Sequence, residues 1–225
     1  MEAGEAASDP SVVCECLWVM AVIFAYQGAW DEAAEHAQRA IDAGPTPADK
    51  AWAQFVLAWA RARRSPEASI QAMKPLEEVI RTAGEWTMVP WIWVGLGEAL
   101  TYAGQKDEGM RTLRDAVELS HRLGMKYQEA CAHRLLGEAL IEEQAQDTTT
   151  SAELHLTEAL KLFQYCKAQP DVARTYAGLG ELKWQQGNSA DACSHLQTAL
   201  EISEQLGMIG EPQRVRRLIE QFSAA

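Results

Sequence analysis

The sequence predicts an all-α chain, an α-solenoid of about five helical hairpins closed by a C-terminal capping helix. Apolar residues recur at three- and four-residue spacing along most of the 225 residues, the period of one helix face. A small residue follows a large one at long, regular intervals: Met20-Ala21, Leu57-Ala58, Leu96-Gly97, Leu136-Gly137 and Leu179-Gly180. The steps between the small residues are 37, 39, 40 and 43, and a fixed period of this length marks a repeat array. Strand signals are nearly absent: there are no alternating β-branched runs and no Asn-Gly or Asp-Gly pairs.

Composition bounds the class of protein. With 48% hydrophobic residues the chain can bury a core. Its 32 acidic and 20 basic residues leave a net charge of −12, which argues against non-specific binding of nucleic acid because nothing offsets phosphate repulsion. Residues 1–11 read as a disordered leader; Glu2, Glu5 and Asp9 give it the wrong charge for a signal peptide. The apolar run from Cys14 to Gly28 is interrupted by Glu15 and falls short of the ~20 residues a membrane span needs. No membrane partner is expected. Cys14, Cys16, Cys131, Cys166 and Cys193 form no CxxC pair, so free, mostly buried thiols in a reducing, cytoplasmic compartment are expected.

The repeats divide the chain into about 12–45, 46–84, 87–125, 127–166 and 170–207, with a capping helix and tail over 210–225. Their second helices read "EAAEHAQRAI", "ASIQAMKPLEEVI", "EGMRTLRDAVEL", "SAELHLTEALKLF" and "ADACSHLQTALEI". Asp31, Ser65, Asp107, Thr150 and Asn188 or Ser189 are placed to cap those helices, Thr150 with Glu153 in capping-box spacing. Gly28, Gly104 and Gly187 sit where a left-handed residue ends the first helix, and Pro47, Pro66 and Pro90 suit first turns. Pro75 lies inside a second helix and should free the carbonyl of Gln71 and kink it. The glycine or alanine after each large residue lets the two helices of a hairpin cross closely, with Ala33, Ala37 and Ala40 answering from the partner helix. In the final helix Val215, Leu218, Ile219 and Phe222 share one face, with Arg214, Arg217 and Glu220 outside.

This pattern resembles the tetratricopeptide repeat. Leu96-Gly97, Leu100, Gly104, Leu113 and Ala116-Val117 follow its signature in order, and Leu179-Gly180, Gly187, Ala192, Leu196 and Ala199-Leu200 follow it again. The second repeat departs from it at Pro75 and in its Arg-rich turn. The stretch "RTAGEWTMVPWIWVGLGEALTYAGQKDEGMRTL" is similar to the C-terminal arrays of bacterial STAND-type regulatory ATPases, including those fused to class III adenylate or guanylate cyclases, in its placement of Gly84, Pro90 and Gly104–Gly109.

The resemblance implies a right-handed solenoid with a fixed division of labour along each first helix. Leu17, Met20, Ala21 and Phe24 would pack within their hairpin. Trp18, Val22, Tyr26, Trp52, Phe55, Trp59, Trp91, Val94, Glu98 and Tyr102 would line an aromatic inner groove over repeats one to three. Trp30 and Trp93 would pack inside the hairpins. Arg134, Glu138, Glu142, Arg174, Glu181 and Trp184 would make the groove charged in repeats four and five. Such a surface suits an apolar peptide or helix with a basic flank; the competing reading is that curvature buries the rings against each other. The remaining side of the first helix holds Cys16, Val19 and Ile23, whose counterparts Ala53, Val56, Ala60 and Ala132, Leu135, Ala139 would pack on the preceding repeat. End repeats are normally polar on the outer side, so this apolar edge is expected to meet an upstream domain of the same polypeptide or another copy of the chain. The lysine–asparagine clamp of chaperone-binding arrays cannot be built, since Asn188 is the single asparagine and lies in a turn.

No catalytic, metal or cofactor site is expected. His36, His121, His133, His155 and His195 are spread over five helices, with no HExxH; His133 occupies a core slot and the others helix surfaces. "GQKDEGMR" has phosphate-loop glycines but Met110-Arg111 in place of Lys-Ser/Thr. The expected function is a non-catalytic protein-interaction or regulatory sensor module, part of a larger signalling ATPase or cyclase-like protein. The alternative is a stand-alone adaptor that binds a peptide in its groove.

Overall fold

The computed structural model describes residues 9–143 and 149–223, and among these there is no strand. The helices are α1 (Pro10–Gln27), α2 (Trp30–Ala43), α3 (Pro47–Arg61), α4 (Pro66–Met73), α5 (Leu76–Ala83), α6 (Val89–Tyr102), α7 (Lys106–Leu123), α8 (Lys126–Glu142), α9 (Thr149–Cys166), α10 (Gln169–Gln185), α11 (Ser189–Gln205) and α12 (Glu211–Ser223). A 3₁₀ turn, Trp86–Met88, leads into α6. The fold is an all-α solenoid of helical hairpins of the tetratricopeptide type. It divides into two compact units, one ending at Thr112 and one starting at Leu113, with the boundary inside α7.

The first unit is cored by alanine. Ala21, Ala25, Ala33, Ala37, Ala40, Ala51 and Ala53 have no exposed surface, which lets α1, α2 and α3 approach closely. The second unit is cored by larger side chains: Leu136, Leu156, Phe163, Leu182 and Leu196 are buried. The large–small pairs mark the crossing inside each hairpin. A Cβ on Gly137 would stand 2.6 Å from Leu156 Cγ, and one on Gly180 would stand 2.7 Å from Leu196 Cγ. Only a missing side chain fits at those points.

Local signals decide the helix ends, not always as the sequence suggested. Asp9 caps α1 by accepting from the amides of Ser11 and Val12, so Pro10 and Ser11 are helical rather than leader; the rest of the leader lies outside the described residues. Thr46 and Asp49 form a reciprocal capping box on α3. Neither cap was expected. Asn188 accepts from the Asp191 amide, as expected. Asp31 does not cap α2, whose N-cap is Ala29; it pairs with Arg64 instead. Ser65 holds the N-cap position of α4 without a side-chain bond. Thr150 falls one residue inside α9, and Glu153 accepts from Lys183 and Gln186 rather than closing a box. Gly28, Gly104 and Gly187 take left-handed φ of 85°, 76° and 75°. Lys167 takes φ 59° at a turn where the neighbouring repeats have Gly124 and Gly207, a strained choice for a side chain with a Cβ. Pro75 breaks the second helix of repeat two into α4 and α5 outright, a stronger effect than the expected kink.

Candidate functional site

Along the first unit, rings from α1, α3 and α6 form a continuous row. Trp18 stacks on Trp52 at 5.0 Å between centroids. Trp52 meets Trp91 edge-on at 6.3 Å, and Trp91 meets Phe55 at 6.5 Å. Phe55 stacks on Trp59 at 6.4 Å, and Trp59 takes the edges of Tyr26 and Trp30 at 5.9 and 5.6 Å. Each such pair contributes about 0.5–1.5 kcal/mol beyond the area it buries. Position in the repeat explains most of the row: Trp52 and Trp91, like Trp18 and Phe55, occupy equivalent turns of successive first helices, and Trp30 joins from α2.

Carboxylates serve the polar edges of the rings. Trp52 Nε1 donates to Glu85 at 2.9 Å, and Trp59 Nε1 donates to Glu98 at 2.9 Å. Tyr102 also donates to Glu98, accepts from Arg63, and lies under the Arg63 guanidinium at 5.1 Å. The indole N–H groups of Trp52 and Trp59 are thus satisfied internally, and beside them the row presents ring carbon bordered by acid.

The predicted groove residues of this unit are therefore brought together, but not in equal measure. Trp18, Val22, Tyr26, Trp52, Trp59, Trp91, Val94 and Glu98 are half-buried, Tyr102 is exposed, and Phe55 is only 3% exposed. Phe55 lies beneath the row because Gly95 makes room for its ring; a Cβ there would stand 2.7 Å from Phe55 Cε2. Trp30 was expected inside its hairpin and instead sits exposed at the end of the row against Trp59. Trp93 is half-buried and donates to Glu77 at 2.8 Å. Trp86 is exposed, with the Arg81 guanidinium over its ring.

In the second unit the predicted positions carry ion pairs. Arg134 donates to Glu138 at 2.7 Å, and Arg174 donates to Asp171 at 3.0 Å, which also accepts from Tyr127. Arg214 was expected on the outer face of the capping helix; it turns inward and bridges Glu181 at 2.8 Å and Glu211 at 2.8 Å. Burial pushes the Glu211 carboxyl up, but Arg214, gripping both its oxygens, outweighs that and holds it below the ordinary range. Glu181 shares the same guanidinium through one contact, and there burial wins, raising its pKa. Glu142 is exposed. Trp184 is half-buried and stacks on Phe222 at 4.5 Å, closing the capping helix over α10.

The edge residues of α1 are where the sequence placed them. Cys16 is half-buried, while Val19 and Ile23 are exposed, as is Val12 one turn earlier. The opposite side of α1, with Cys14, Leu17, Ala21 and Ala25, is buried. By length and composition α1 could cross a bilayer, and among the described residues no other helix could.

One polar feature escaped the sequence. His155, read as a surface residue, faces His133 across the fourth hairpin with their Nδ1 atoms 2.8 Å apart, so one ring donates and the other accepts. Burial, then its neighbour His133, lowers the His155 pKa to about 4. Nothing in a one-dimensional pattern pairs residues 22 apart on different helices. Among the described residues no group of three or more His, Cys, Asp or Glu side chains could hold a metal. Of the thiols only Cys14 is buried; Cys16, Cys131 and Cys166 are half-buried and Cys193 is exposed, so the expectation of mostly buried cysteines is corrected.

No family model matches the chain, and no curated protein matches it by sequence. Among solved structures it is similar to BtubC from P. vanneervenii, with a TM-score of 0.62 and 17% identity, over 89% of this chain and 85% of that one. MamA aligns with a TM-score of 0.47 and 17% identity, over 88% of this chain and 96% of that one. At this identity the likeness to BtubC shows a shared helical-repeat fold.

Proposed function

We propose that this chain is a non-catalytic protein-interaction module whose first unit holds an apolar peptide or helix with a basic flank against the aromatic row. The observation that supports it most is the division of labour within the row. The N–H groups of Trp52 and Trp59 and the O–H of Tyr102 are spent on Glu85 and Glu98, leaving ring surface that suits an apolar partner. The adjoining carboxylates and the net charge of −12 favour lysine or arginine beside the apolar anchor. A helical-repeat scaffold is in keeping with such a role.

The five thiols without CxxC spacing fit a reducing, cytoplasmic setting. A narrower reading makes the module the regulatory arm of a larger signalling ATPase or cyclase-like protein; it rests on the likeness of the stretch around Gly84–Gly109 alone. The edge of α1 is a second place for contacts, with another domain or another copy.

The test is selection of 12-residue peptides from a random display library on the purified chain. Enriched sequences should pair an aromatic or aliphatic anchor with Lys or Arg within a few positions. Their binding should fall at least tenfold in Trp91→Ala while surviving Arg174→Ala. Enrichment of acidic sequences, or equal loss in both variants, would discard the proposal.

A further inference from the structure

Every first helix of the array carries the same edge, and that edge is covered in all of them but one. Its middle position is Val56 in α3, Gly95 in α6, Leu135 in α8 and Gly178 in α10, and each is buried. In α1 the position is Val19, 38% exposed, with Ile23 below it 51% exposed and Val12 above it 40% exposed. The contrast isolates one missing neighbour.

The covered edges say what that neighbour is. Those of α3, α6, α10 and α12 pack against the second helix of the hairpin before them. Ala33 and Ala40 of α2 meet Ala60 and Ala53 of α3. Ile70 of α4 meets Ala99 of α6, Phe163 of α9 meets Val172 of α10, and Ala199 of α11 meets Val215 of α12. The covering stripe is apolar and repeats every three or four residues, so it is the face of a helix rather than a strand or loop. From Val12 to Ile23 the open edge runs about 16 Å, three turns at 1.5 Å per residue, which matches a helix laid alongside.

We infer that the open edge of α1 docks the second helix of a helical hairpin supplied by a partner protein, one with alanine at the contact positions that Ala33, Ala37 and Ala40 fill in α2. This deepens the interaction-module reading, and rests on it, at a surface separate from the aromatic row. A second copy of this chain is the poorer fit. Its own stripes are spent, since Ala33, Ala116, Ala159 and Ala199 have no exposed surface. The outer face of its capping helix carries exposed Gln213, Arg216, Arg217 and Glu220. Insertion of α1 in a bilayer would tear Cys14, Leu17, Ala21 and Ala25 from their packing in the first hairpin.

The test supplies such a helix at high effective concentration. A copy of residues 10–46 is fused ahead of Pro10 in the full chain, reproducing the spacing from Pro10 to Pro47, and Val19→Cys is introduced in the original hairpin. Maleimide labelling of that thiol, read by peptide mass spectrometry, should slow at least tenfold relative to the unfused Val19→Cys chain, and Tm should rise. Ile23→Asp in the original hairpin, a solvent-exposed change that the fold tolerates, should restore the labelling rate. Unchanged labelling on fusion, or protection that survives Ile23→Asp, would overturn the inference. So would a concentration-dependent dimer of the unfused chain in light scattering that Val19→Asp abolishes, which would assign the edge to self-pairing. Binding of the unfused chain to neutral phosphatidylcholine vesicles that Val19→Asp abolishes would overturn it in favour of a membrane. Peptides selected on the aromatic row should bind the fused and unfused chains alike, which separates failure here from failure of the module reading.

Discussion

Position for position, the first helices of the two units fill the same slots with different chemistry. One slot holds Trp52 in α3 and Trp91 in α6, then Arg174 in α10. The slot one turn on holds Trp18 in α1, Phe55 in α3 and Val94 in α6, then Arg134 in α8. Rings that stack along the first unit thus give way to acid–arginine pairs within single helices in the second. The scaffold constrains the crossing points, where Gly137 and Gly180 admit no Cβ, and leaves these slots free. What they hold decides whether the face presents rings or satisfies itself with ion pairs.

Changes that strike both packing and the row should cost most. Trp59→Ala removes contacts to Tyr26, Trp30 and Phe55 and leaves Glu98 with one donor fewer. A loss of about 3 kcal/mol is expected in urea unfolding, alongside weaker peptide binding. Stability unchanged within 0.5 kcal/mol, an order-of-magnitude threshold for surface sites, would mean the row is more open than described. In the second unit Gly137→Leu drives a side chain into Leu156 and should cost about 2–3 kcal/mol by the same measurement.

Arg214→Met separates the ionic unit from the aromatic one. It strands Glu181 and Glu211 with no shared guanidinium, and a loss of about 2 kcal/mol is expected after allowing for partial exposure. Peptide binding at the row should not move. A milder effect belongs to pH. The folded pKa of His155 is about 4, below the ordinary 6.5, so the unfolded chain binds the extra proton first as pH falls. Stability is complete above about 6.5 and declines toward 4, by about 1 kcal/mol between pH 7 and 5 after discounting for solvent screening. His155→Gln should flatten that decline; an unchanged slope would remove the pair from the account. Smallest of all, Trp86→Ala should cost no more than about 0.5 kcal/mol, since its ring is exposed and meets Arg81 alone among the ring and cation contacts described.

Much of this was legible in one dimension because repeats report on themselves. The large–small pairs, the glycine turns, the apolar edge of α1 and the aromatic positions all recur at a period that the helix geometry dictates. What was not legible depended on contacts the period does not encode. Asp31 looks like a cap until Arg64, a full repeat away, claims its carboxylate. Arg214 reads as solvated until Glu181 of the preceding repeat supplies a partner. Phe55 belongs beneath the row only because Gly95, on the next first helix, lacks a side chain. Pro75 was recognised as a disruption, but whether a helix bends or ends depends on the packing around it.

On the proposed reading the rings of the first unit form a face for ligands while Trp184 serves the fold. Indole N–H resonances of the eight tryptophans, followed by NMR while a display-selected peptide is titrated in, test it most directly. Shifts are expected at Trp18, Trp52 and Trp91, with Trp184 and Trp86 unmoved. Shifts led by Trp184, or binding that leaves all the row's indoles where they were, would contradict it.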